Sequence, residues 1–188
     1  NVDNVVIPVA GLGTRLLPAT KAVPKEMLPI VNKPIIQIIM EEIEDAGFKK
    51  VIFITHASKN SIENHFDKSF ELEATLEKRI KRALLKEIRS VSRLKVSIQS
   101  IRQGETLGLG HAVLCAKPIL ENMPFAVVLP DMLIKQDLKK GVNNLRRMRE
   151  DYSKFGDSSI LLSKASKKNI SKYGIVKYKR SSKIKGFL

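Results

Sequence analysis

The chain has 188 residues, 43% of them apolar, with ten glycines, eight prolines and one cysteine, enough for one well-buried core in a globular protein. Cys115, the single cysteine, excludes an internal disulfide, and no apolar run approaches the roughly 18 residues that suggest a membrane span. The formal charge of +15 raises nucleic acid as a partner, yet twelve of those net charges lie from Lys135 onward as scattered lysines without the aromatic spacing of a single-strand groove, which favours a solvated surface.

Asn1-Val2-Asp3-Asn4 has neither the basic start nor the apolar middle of a signal peptide, so the expected setting is cytoplasmic, with no membrane and no nucleic acid among the partners. Val5–Val9 predicts a first strand. Pro34 opens a helix through Ile35, Ile36, Ile38, Ile39 and Ile43 that stops at Gly47, because Pro suits a first helical turn and Gly the left-handed position after a last one. Val51–Thr55 is the next strand, which completes a βαβ unit.

Leu72, Leu76, Ile80, Leu84 and Ile88 place one apolar stripe on a long helix over Phe70–Arg93, read as packed on its own domain with a charged outer face. A strand over Lys95–Ile101, a helix over Gly110–Ala116 and a buried strand over Phe125–Leu129 follow. Asp137–Phe155 predicts a helix, Ser159–Ser163 a strand, and Tyr173–Tyr178 with Lys183–Leu188 two more. The alternation points to an α/β domain with a mostly parallel sheet covered on both faces, and residues 1–188 read as a single domain.

Special residues gather after three of these strands: Ala10–Lys25, Gln103–Gly110 and Asp131. Ligands of open parallel sheets bind beyond the carboxyl ends of the strands, so the three groups should meet there. Gly11-Leu12-Gly13 offers backbone N–H groups at close approach, Arg15 a two-pronged donor, and Lys21 or Lys25 a point charge, a combination suited to phosphate. Leu16 stands where a dinucleotide fingerprint needs its third glycine, and no Gly-Lys-Ser/Thr follows to make a Walker loop. Pro18, Pro24 and Pro29 limit the conformations of this long loop and so the entropy lost on clamping a ligand. Asp131, at a strand end opposite the loop, suits Mg²⁺ held between nucleotide phosphates; an N-cap or turn role is the bland alternative. His56, His65 and His111 lack metal-ligand spacing and read as structural.

"VIPVAGLGTRLLPATKAVPKEMLPIVNKPIIQ", "THASKNSIENHFDKSFELEATLEKRIKR", "RQGETLGLGHAVLCAKP" and "VVLPD" together resemble the bacterial UTP–glucose-1-phosphate uridylyltransferases (UDP-glucose pyrophosphorylases), from Val5 to about Gly174. The resemblance implies a Rossmann-like three-layer α/β/α nucleotide-diphospho-sugar transferase fold and Mg²⁺-dependent conversion of UTP and glucose 1-phosphate to UDP-glucose and pyrophosphate. By motif it implies nucleotide contacts from Ala10, Gly11, Gly13, Thr14 and Glu26, and uracil reading by Gln103 and Gly108. It also implies catalytic triphosphate binding by Arg15 and Lys25, a metal ligand at Asp131 and a sugar contact at Gly174. It further implies a homo-oligomer in the intact protein, and a later segment bearing a Glu-Lys-Pro lysine for the sugar phosphate and a second metal carboxylate. The domain would then be incomplete at its C-terminus, with weak nucleotide binding, essentially no turnover, and apolar surface exposed where the later segment packs. A thymidylyltransferase, a non-catalytic paralogue and a basic nucleic-acid-binding protein are the competing expectations.

Overall fold

The computed structural model describes residues 1–134, 143–164, 166, 170–171 and 173–176. Its centre is the strand β1 (Asn4–Pro8), flanked by β4 (Lys50–Thr55) on one side and β6 (Phe125–Val127) on the other, with β5 (Ser97–Arg102) beyond β4. All three pairings are parallel, with Val5 opposite Val51 and Ala126, and Ile54 opposite Ile101. A two-strand antiparallel hairpin, β2 (Pro29–Ile30) and β3 (Lys33–Pro34), stands apart from this sheet.

Because strand side chains alternate between faces, β1 and β4 supply two cores at once. Val5, Ile7, Val51 and Phe53 pack under α1 (Ile35–Asp45) with Ile36, Met40 and Ile43, joined by Ile62 and Phe66 of α2 (Asn60–Phe66). Val6, Ile52 and Ile54 face the opposite way, onto Ala112 of α5 (Leu109–Cys115) and Leu120 of α6 (Lys117–Leu120). The expected three-layer α/β/α arrangement is therefore present. Full burial of one such Ile, Val or Phe side chain contributes about 1.5–3 kcal/mol, which makes these two strands the rigid base of everything attached to their ends. Helix α1 begins after Pro34 and ends at Asp45, with Gly47 at φ +85°, as the sequence predicts.

The single long helix expected over Phe70–Arg93 is instead two, α3 (Phe70–Lys78) and α4 (Arg82–Ser92). Ile80 takes the left-handed conformation, φ +54°, and Lys81 N–H reaches back to Leu76 O at 3.0 Å, closing the end of α3 as a Schellman motif does. In one straight helix Glu73 and Arg89 would lie about 24 Å apart; here Arg89 Nε donates to Glu73 at 2.8 Å and its Nη2 to Glu77, so α4 doubles back along α3. The periodicity ran unbroken through the turn because Ile80 keeps the spacing while leaving the helix. Leu72, Ile80 and Leu84 of the expected stripe are exposed, so the stripe does not pack on the domain as expected.

The strand expected over Phe125–Leu129 covers Phe125–Val127, with Val128 N–H still paired to Val6 O at 3.0 Å. It is an edge strand among the described residues, with Phe125 and Val127 exposed rather than buried. Helix α7 (Asn144–Phe155) is capped by Asn143, whose side chain accepts from Arg146 N–H and donates to Glu42 O. Residues 137–142 of that expected helix, 177–178 of one expected strand, and the strand expected at 183–188 lie outside the described residues. Ser159–Ser163 and residues 173–176 form no strand; no partner strand pairs with them among the described residues. No helix of the described residues is long and apolar enough to cross a membrane.

Candidate nucleotide site

The chain leaves β1 toward the loop with Val9 N–H still bonded to Ile54 O at 2.9 Å and Ala10 buried. It then turns through three short 3₁₀ segments, Thr14–Leu16, Ala19–Lys21 and Lys25–Met27. Gly13 sits at φ +68°, and a Cβ there would meet Thr20 Cγ2 at 3.2 Å and Lys25 Cβ at 3.3 Å. A Cβ on Gly11 would stand 3.9 Å from Lys25 Nζ. The two glycines thus let the first turn of the loop lie against its own lysine. Thr20 Oγ1 donates to Gly13 O at 2.8 Å and Pro24 is buried, fixing the loop from within, while Thr14 and Arg15 remain exposed.

Lys25 Nζ donates to Asp131 Oδ2 at 2.8 Å across 106 residues. The contact joins the loop after β1 to the turn after β6. The chain steps from β1 outward to β4 and β5 and then returns to the other side of β1 at β6, so this contact spans the point where strand order reverses, where doubly wound sheets take their ligands. The hydrogen bond from Lys25 holds the Asp131 carboxyl below the usual carboxylate range, opposed by partial burial and helped by the charges of Lys25 and Arg15. Two cations and an ionised carboxylate therefore share one open surface, the Asp131 side chain being 54% exposed.

Gln103 follows β5, its N–H bonded to Thr55 O at 2.8 Å, and only 4% of it is exposed. Its side-chain Nε2 donates to Gly108 O at 3.4 Å and lies 3.0 Å from His111 Nδ1. Gly108, at φ +92°, precedes α5 and carries no side chain into the space beside it, where an added Cβ would meet nothing within 4 Å. At the usual strand spacing, the ends of β5 and β1 lie about 10 Å apart, the scale that separates a nucleotide's base from its outer phosphates.

Glu26, next to Lys25, points the other way. It is 1% exposed and accepts from Lys59 Nζ at 3.0 Å; Lys59 is itself 4% exposed, and Glu26 Oε1 is buried without a hydrogen-bond partner. Lys59 was missed by sequence reasoning, and so was the contact of His111 with Gln103. The available signals were a lysine just ahead of the apolar-spaced helix α2, and a histidine three residues after Gly108. Gly174 lies in an exposed segment, with no atom within 4 Å of an added Cβ, and nothing among the described residues ties it to the loop. A groove of about 400 Å³ beside β5 is lined by Glu63 and Asp67 and by no cation, so it does not suit phosphate.

The match to known proteins accords with this geometry. The model of the family described as "Nucleotidyl transferase" matches residues 4–188. The chain belongs to the nucleotidyl transferase family. It is 53% identical over 173 residues to the UTP–glucose-1-phosphate uridylyltransferase of Haemophilus influenzae, covering 90% of this chain and 58% of that protein. To the Escherichia coli K12 protein of the same name it is 51% identical over 178 residues, covering 93% and 58%. The solved UTP-bound UDP-glucose pyrophosphorylase of Acinetobacter baumannii superposes with a TM-score of 0.79 at 49% identity, covering 83% of this chain and 54% of that one. This nucleotidyl transferase spans a little over half the length of the relatives it matches.

Proposed function

We propose that this chain carries the nucleotide half of a UTP–glucose-1-phosphate uridylyltransferase site, on the observation that Lys25 and Asp131 meet at 2.8 Å at the strand-order reversal with Arg15 charge beside them. Uracil faces Gln103 and Gly108, the triphosphate lies over Gly11–Arg15, and Arg15 and Lys25 neutralise charge passing to the leaving pyrophosphate. The reaction is in-line attack by a sugar-phosphate oxygen on the α-phosphorus of UTP, breaking the bond to the β-phosphate oxygen without a covalent enzyme intermediate; positioning and charge stabilisation carry such transfers.

Among the described residues no three His, Cys, Asp or Glu side chains converge as a metal site. Asp131 alone still fits Mg²⁺, which is usually held by one or two carboxylates with substrate phosphates completing its shell. When bound, the ion supplies charge neutralisation at the phosphates; Asp131 would hold it once Lys25 turns to the triphosphate. Names borne by relatives at about half identity support the uridylyl over the thymidylyl reading. The intact Thr14-Arg15 pair argues against a non-catalytic paralogue.

Thermal-shift titration of the chain tests the reading. UTP and UDP-glucose with Mg²⁺ should stabilise it more than dTTP, dTDP-glucose or a short oligonucleotide. Equal stabilisation by the thymidine series would remove the uridylyl assignment, and stabilisation by the oligonucleotide alone would restore the nucleic-acid reading.

A further inference from the structure

We propose that His111 is a positioning residue for base choice: it accepts a hydrogen bond from Gln103 and so locks the Gln103 amide with its oxygen toward the base. This rests on the placement of uracil at Gln103 given above. The Gly108 backbone carbonyl only accepts, so the amide atom 3.4 Å from its oxygen must be the nitrogen. The same nitrogen lies 3.0 Å from His111 Nδ1, and an NH₂ group offers no lone pair, so Nδ1 must be unprotonated and the ring must carry its proton on Nε2. Both amide hydrogens are thereby committed. Among the described residues nothing donates to Gln103 Oε1, which is left as the free end of a side chain only 4% exposed.

A fixed acceptor distinguishes the pyrimidines. Uracil presents N3–H to it; cytosine presents an N3 lone pair, and two acceptors facing each other across a buried contact leave both unsatisfied. Flipping the amide would suit cytosine, but the flip sets its oxygen against Gly108 O, which only accepts, and requires the His111 ring to move its proton from Nε2 to Nδ1. His111 is held for this task by its place in the first turn of α5, three residues after Gly108, whose carbonyl also accepts from Ala112 N–H at 3.1 Å. Asparagine at this position can present an amide oxygen near the place of Nδ1; leucine fills space and accepts nothing.

The experiment is a competition titration of the full chain with UTP and CTP in Mg²⁺, on wild type, His111→Leu and His111→Asn, with ¹⁵N-histidine spectra of the unliganded protein. Wild type should prefer UTP; His111→Leu should lower the UTP-to-CTP affinity ratio about fivefold to tenfold, the scale of one neutral hydrogen bond; His111→Asn should keep it. The spectra should show His111 Nδ1 unprotonated, a readout that needs no ligand and survives a poorly folding Leu variant. An unchanged ratio in folded His111→Leu, or a protonated Nδ1 in the neutral ring, overturns the positioning role while leaving uridine binding intact. A wild type that binds neither nucleotide overturns the uracil placement itself.

Discussion

Lys25 and Glu26 are consecutive residues of one 3₁₀ turn with opposite fates. Lys25 reaches an open carboxylate, Asp131, at the sheet edge, whereas Glu26 is sealed against Lys59 with hardly any surface in water. Their lengths are similar, 2.8 and 3.0 Å, and their consequences differ because the surroundings differ. A half-exposed pair is screened and exchanges easily for another partner, so Lys25 can leave Asp131 for a phosphate. A buried pair cannot lose one member without stranding the other. The turn is thus anchored through Glu26 so that Lys25 stays both aimed and free.

The largest effect should come from breaking the buried side of this contrast. Lys59→Met strands the Glu26 carboxylate and should destabilise the fold by about 3–5 kcal/mol, read by urea denaturation, while the double variant Glu26→Leu with Lys59→Met recovers most of that loss. On the open side, under the uridylyl-transfer reading proposed above, Arg15→Ala and Asp131→Asn should each lower that activity in the intact protein at least about a hundredfold, the scale seen on removing one preorganised charge-stabilising group, with unchanged thermal unfolding. Gly13→Ala should cost about 1–2 kcal/mol for holding a side chain at φ +68°, with added crowding against Thr20, and weaken UTP binding by shifting Lys25.

Removing the exposed pair should matter far less than removing the buried one: Lys25→Met should change stability by less than about 1 kcal/mol. Asp131 has its folded pKa lowered, so its small contribution is present above the ordinary carboxylate value of 3.8 and disappears as pH falls through the folded value. A separate pH effect comes from His65, half-enclosed beside Phe66 and 3.0 Å from Gln37 Oε1. Burial lowers its pKa below 6.5, favouring the neutral ring in the fold. Stability should be full above that value and decline as pH falls through the window between 6.5 and the folded pKa, where the unfolded chain takes up the proton first. His65→Gln should flatten that decline in denaturant titrations.

The parts of the molecule legible in the sequence were those where local chemistry and packing agree. Pro34 and Gly47 punctuate α1, and the apolar runs of β1 and β4 have no place but a sheet buried on both faces. That the Gly11–Lys25 loop and Asp131 meet was readable because both follow strands of one parallel sheet, whose ends lie side by side, and Lys25 reaches Asp131 there at 2.8 Å. The α3–α4 turn was not, since Ile80 preserved the helical spacing and only its positive φ ends the helix. Lys59 and His111 left only weak local signals for another reason: each is paired with a partner at a separation of 33 and eight residues, and a pairwise contact across the fold leaves no periodic mark. His111 reads as structural in the sequence because it has neither metal-ligand spacing nor a Ser or Cys nucleophile motif near it.

In the proposed function the loop after β1 and the turn after β6 form one triphosphate site. Calorimetric titration of UTP with Mg²⁺ into the wild-type chain, Arg15→Ala and Lys25→Met tests it most directly. Wild type should bind UTP far more tightly than uridine, and each variant should lose at least about tenfold in UTP affinity, a charge-assisted contact of about 1.5–3 kcal/mol, with uridine affinity unchanged. Variants that bind UTP as tightly as wild type would contradict it.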